Sequence, residues 1–132
     1  MKIIKGGRAG VPSEHRTSTF SGDVWGDPVL SETDEVLINS VSFGPAGRTY
    51  WHSHAGGQVL IVTSGAGLIY DREGDGGEID VGDIVFVPPG VEHWHGARPD
   101  TTMVHLAISF RGHDWLEEVS DADYGEAAGR SD

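Results

Sequence analysis

Five of the seven histidines fall between positions 52 and 105, and four of them come as two His-x-His pairs. The first is His52-Ser53-His54 and the second His93-Trp94-His95. On a β-strand successive side chains alternate, so each pair turns both imidazoles to one face. A lone strand histidine, such as His105 in Met103-Val104-His105-Leu106-Ala107-Ile108, is ordinarily a hydrogen-bonded core or rim residue. Four imidazoles aimed into one small interior are different, because an unpaired buried polar group costs about 1–3 kcal/mol. A divalent metal ion resolves that cost directly and is the chemistry this spacing points to.

The elements that must carry these residues read mostly as β. Val36 to Phe43 alternates, Val59 to Val62 and Ile84 to Val87 are short apolar runs, and Met103 to Ile108 is another. Gly, Pro and Asp punctuate them, as in a barrel or sandwich. Ile3-Ile4 is a candidate edge strand in an otherwise loose arm. His113 to Val119 has Asp114 and Glu117 three apart, the pattern of a capping box, and predicts a short C-terminal helix over the barrel. The chain therefore divides into a flexible arm (1–19), one domain (20–124) and a fraying tail (125–132). Asp71-Arg72-Glu73-Gly74-Asp75-Gly76 copies half of a calcium loop, but its twelfth position is Gly82 rather than Glu, so a hairpin is expected there.

Composition narrows the partners. A formal charge of −12, from 21 acidic and 9 basic residues, repels phosphate backbones and anionic bilayers, so neither nucleic acid nor membrane is expected. The absence of cysteine removes disulfides, thiolate nucleophiles and iron–sulfur clusters, and fits a cytoplasmic protein. Trp51 and Trp94 each stand beside a histidine, so alternation turns them outward. Outward tryptophans suggest a homodimer or homotetramer burying at least one of them, the alternative being cover from the arm or the C-terminal helix.

The motif spacing resembles the cupin superfamily. His52-x-His54, three residues, Gln58, six residues and Gly65 follow its first motif. Gly82, five residues, Pro88-Pro89-Gly90, two residues and His93 follow its second. The match departs in three places: Gly47 stands one place late, Gln58 replaces a metal-binding Glu, and Ala97 replaces a closing Asn. A narrower likeness, from about Phe20 to Tyr124, is to small manganese cupins that include hydroxynitrile lyases. It rests on Gly47-Arg48-Thr49-Tyr50-Trp51-His52-Ser53-His54, Glu92-His93-Trp94-His95-Gly96, the strand of His105, and Asp114-Trp115-Leu116.

The resemblance implies an all-β, single jelly-roll-like cupin barrel with one divalent ion on His52, His54, Gln58 and His93. It implies manganese first, then iron, nickel or zinc, and proton transfer by His95 and His105. Ser109 stands where the lyases carry Gln and, with Val41 and Asn39, is assigned to the substrate pocket. The expected function is a lyase acting on small hydroxylated, cyanohydrin-like molecules. The alternatives are a dioxygenase using iron or nickel, and a non-catalytic small-molecule-binding module.

Overall fold

The computed structural model describes residues 1–130. Twelve strands curl into a β-barrel of two facing sheets, followed by one helix. One sheet takes β1 (Glu14–His15), β3 (Val24–Leu30), β4 (Val36–Phe43), β11 (Met103–Phe110), the first part of β7 (Gln58–Asp71) and β9 (Ile84–Val87). The other takes β2 (Phe20–Ser21), β5 (Arg48–Thr49), β10 (His93–Ala97), the second part of β7 and β8 (Gly76–Asp80). On that sheet β6 (His52–Ser53) pairs with β10 and with β12 (Asp114–Trp115).

β7 belongs to both sheets, and Gly65 marks the corner. Its φ is +73°, and a Cβ there would lie 1.9 Å from the carbonyl oxygen of Thr102. Only glycine allows the chain to turn so close to the neighbouring strand. The register of β7 against β11 shifts nearby, between Val104 and His105. The same alternation builds the core: Val24, Val41, Phe43, Leu60, Val62 and Met103 face inward and are buried. The outward face of the first sheet is also apolar. Phe86, Val59, Ile108 and Ile38 form one cross-strand row there, and Ile84, Ile61 and Leu106 run beside it.

Several local expectations need correction. The helix expected over His113–Val119 is not there; Asp114–Trp115 is the strand β12, and α1 is Asp121–Arg130. Trp115 lies opposite His52 in the sheet, and that pairing holds the segment extended against its capping pattern. The helix instead starts at Ser120, whose Oγ accepts from the Asp123 N–H at 3.1 Å, a cap of the same type six residues on. The stretch 125–130, expected to fray, is helical, with Ala127 and Ala128 buried; residues 131–132 lie outside the described residues. In the arm the edge strand is Glu14–His15, while Ile3-Ile4 pairs with nothing and Ile3 is exposed.

Trp51 and Trp94 do point away from the histidines, but the chain itself covers them. They are 8% and 2% exposed, in a second core with Leu68, Tyr70, Val119, Tyr124 and the helix alanines. The Arg72 guanidinium lies 4.0 Å above the Trp51 ring. Arg48, itself buried, fastens this layer: Nη2 donates to Val119 O at 2.9 Å and to Asp121 at 2.8 Å. These tryptophans therefore give no ground for an oligomer. The loop at Asp71–Gly76 is the β7–β8 turn, in which Asp71 Oδ1 accepts from the Glu73 and Asp75 N–H groups at 2.9 and 3.0 Å.

Candidate metal centre

β6 and β10 lie antiparallel with His93 opposite His52, so the two His-x-His pairs face each other across one ladder. His52, His93 and His95 each offer a ring nitrogen within 4.8 Å of the others. His54 joins from the loop after β6, its ring 5.1 Å from His52 and 5.8 Å from His93. Gln58 begins β7 and reaches in beside them: its Oε1 is 2.9 Å from Nε2 of His93, and its amide nitrogen donates to Ser109 Oγ at 3.0 Å.

Three of the rings share one support. Nδ1 of His52 lies 2.9 Å from the Tyr50 carbonyl, Nδ1 of His54 2.9 Å from Gly112, and Nδ1 of His93 2.9 Å from Val91. A carbonyl oxygen only accepts, so each Nδ1 carries the proton and each Nε2 of the neutral ring presents a lone pair. Gly112 supplies its carbonyl from a φ of +75°, two residues past the end of β11, a turn that suits glycine. Metal-binding histidines are characteristically held this way.

Burial keeps the rings neutral. It pushes His93 down to about 4, and drives His52 well below the ordinary range with help from the neighbouring His93. His54 is lowered chiefly by burial as well. A neutral His93 then sets a lone pair against the carbonyl oxygen of Gln58, two acceptors facing each other at 2.9 Å. Nε2 of His54 is likewise buried without a partner. A cation at the meeting point satisfies all of these atoms, so the residues fit one divalent metal ion.

Next to this cluster Nε2 of His105 lies 2.9 Å from Nδ1 of His95, while Nε2 of His95 is buried and unpartnered. Burial lowers His105 to about 4 and His95 well below the ordinary range, the latter helped by His105. Phe43 packs on both, 5.2 Å from His105 and 6.0 Å edge-on from His95.

All of these groups except His93 border one cavity of about 660 Å³. His52, His54, Gln58, His95, His105, Ser109, Val41 and Asn39 line it, and His93 meets it through Gln58. Ser109 does more than line the wall, since it holds the Gln58 amide. Sequence reading missed His113, Trp115 and Arg16, which also line the cavity. The Trp115 ring packs against His52 at 4.7 Å, tilted by 36°, and His113 packs against Trp115 at 5.5 Å, tilted by 59°. Their spacing of two was the available signal, hidden because the segment was read with a helical period.

Comparison with known proteins agrees with this architecture. Residues 39–109 match the family model described as Cupin domain. The chain is similar to an (R)-mandelonitrile lyase of Granulicella tundricola, 46% identical over 111 residues that cover 80% of this chain and 85% of that one. A cupin-like protein of Thermotoga maritima superposes with a TM-score of 0.81 at 38% identity, covering 86% of this chain and 91% of that one. The polyketide cyclase RemF of Streptomyces resistomycificus shares the fold, with a TM-score of 0.70 at 20% identity over 94% of this chain and 90% of its own. With its domain model matched over more than half its length and a relative at 46% identity, the chain belongs to the cupin family.

Proposed function

We propose that this protein is a metal-dependent lyase that splits cyanohydrins into a carbonyl compound and hydrogen cyanide. The observation that carries the reading is the set of three Nδ1-tethered imidazoles meeting the Gln58 carbonyl oxygen. The similarity to an (R)-mandelonitrile lyase supports the choice of reaction. His52, His54, Gln58 and His93 are assigned as ligands, and manganese as the first candidate ion, then iron, nickel or zinc, since imidazole and amide oxygen suit them. A divalent ion held there supplies Lewis acidity toward a substrate oxygen.

The proton chemistry falls to His95. In the tautomer of this pair that places the shared proton on Nδ1 of His95, that nitrogen donates to His105, and the unpartnered Nε2 of His95 presents a lone pair to the cavity. The substrate hydroxyl proton passes to that nitrogen as the carbonyl forms. The carbon–carbon bond to the nitrile breaks, and cyanide leaves with the electron pair. The same Nε2–H then protonates it, so hydrogen cyanide departs and His95 is restored. His105 positions His95 and steadies its transient charge. Phe20, Val41, Phe43 and Ala107 give the cavity an apolar wall for the organic group.

The test is cleavage of mandelonitrile by manganese-loaded protein, with and without air. Equal rates are expected. Turnover that requires O₂ would overturn the lyase reading in favour of a dioxygenase.

We also propose a homo-oligomer, dimer or tetramer, formed through the outward face of the first sheet. Ile84 and Phe86 are 69% and 65% exposed there, at one edge of the apolar rows of Val59, Ile61, Leu106 and Ile108. Contiguous exposed apolar surface of this kind marks interaction sites.

A further inference from the structure

The proposed chemistry leaves one wall of the cavity unused, and that wall carries a cation. Arg16 comes from the segment between β1 and β2, where its backbone N–H donates to Val24 O at 2.8 Å and ties the segment across β3. Its side chain turns onto Gly26. A Cβ at position 26 would come 2.3 Å from Nε and 2.7 Å from Cζ, so the guanidinium occupies the space that any other residue would fill.

Gly26 is opposite Val41, and Val41 is opposite His105. The three share one cross-strand row, and strands are about 4.8 Å apart, so the guanidinium stands about 10 Å from His105 on the same face.

Its donors are poorly used. Nε is buried with no partner. Nη2 makes a long contact of 3.5 Å with Asn39 Oδ1 and stands 4.0 Å from the Glu14 carboxylate. That Glu14 side chain is 55% exposed, and such a distant pair does little for either partner. In a chain of net charge −12, Glu14 is the one acidic side chain among the described residues that line the cavity.

We infer that Arg16 is a carboxylate-binding residue, and that the substrate is a small hydroxylated molecule bearing a carboxylate at the end away from the reacting carbon. A guanidinium offers a planar fork that a carboxylate matches with two parallel hydrogen bonds. The cyanohydrin part of this description rests on the lyase reading; the anion-binding part rests on Arg16 and Gly26 alone.

Binding tests it without turnover. Dissociation constants of benzaldehyde and 4-carboxybenzaldehyde are measured by NMR titration on the metal-loaded full chain. The carboxylated aldehyde should bind at least tenfold more tightly, and that advantage should fall below twofold in Arg16→Gln. Gly26→Ala, which keeps the cation but fills its place, should reduce the advantage too. Equal affinity in the unaltered protein, or an advantage that survives both substitutions, overturns the inference. An Arg16-dependent preference in a protein that cleaves no cyanohydrin leaves the anion site standing and sinks the lyase reading. Mandelonitrile cleavage with no such preference does the reverse.

Discussion

Nε2 of His105 lies 2.9 Å from Nδ1 of His95, and both rings are buried. Only one of the two nitrogens can carry the proton between them, so the state of one ring sets the state of the other. If His95 is the base, its substitution should cost far more than a pocket residue would. His95→Ala is expected to lose roughly 10²- to 10⁴-fold in turnover of mandelonitrile. His105→Ala should lose less, and His105→Gln, whose amide oxygen can accept from His95, should recover part of that loss. A His105→Ala enzyme of full activity would remove His105 from the account.

Ser109 accepts the Gln58 amide proton at 3.0 Å, which turns the Gln58 oxygen toward His93. Ser109→Ala frees that amide. Supports of this kind are typically worth 10–100-fold in metal affinity or activity. Competition with a chelator is expected to show weaker binding in the variant. Unchanged affinity would leave Ser109 as pocket wall only, where Ser109→Gln should alter rate without altering metal content.

The buried rings also make the metal-free protein sensitive to acid. His93 and His105 are pushed from 6.5 down to about 4 by burial. Between those values the unfolded chain binds protons that the folded one refuses, so acid favours unfolding. Their contribution is complete above about pH 6.5 and is lost as pH falls through about 4. Thermal melts of chelator-stripped protein should show a lower midpoint at pH 5 than at pH 7. His105→Gln, which cannot take up that proton, should flatten the dependence. A midpoint independent of pH in this window would contradict the burial of these rings.

How far the sequence carried this picture depends on which interaction dominated each residue. The strands of His52, His93 and His105 were legible because alternation with a buried face fixes a strand's register, and the same alternation brought Ser109 and Val41 to the cavity. Trp115 was not, because its place opposite His52 is a long-range pairing that overrides a local capping pattern. The fate of Trp51 and Trp94 was half legible. Their direction followed from spacing, but the cover that α1 gives them depends on Arg48 holding Val119 and Asp121, contacts across more than seventy residues. Arg16 carried no signal at all, since its meaning comes from the missing side chain of Gly26.

The apolar outer face gives a separate expectation. Charges at Ile84 and Phe86, which are exposed in the single chain, should leave the barrel intact and break an oligomer built on that face. Light scattering of Ile84→Glu/Phe86→Glu is expected to give a smaller mass than the unaltered protein. An unaltered protein that is already monomeric would dismiss the interface.

The most direct measurement is metal content by elemental analysis of freshly purified protein, with two single substitutions compared. The ligand atoms of His52, His93 and His95 cluster most closely, yet the tethered Nδ1 atoms single out His52, His54 and His93. The account expects one divalent ion per chain, lost in His54→Ala and retained in His95→Ala. An ion retained in His54→Ala but lost in His95→Ala would contradict it.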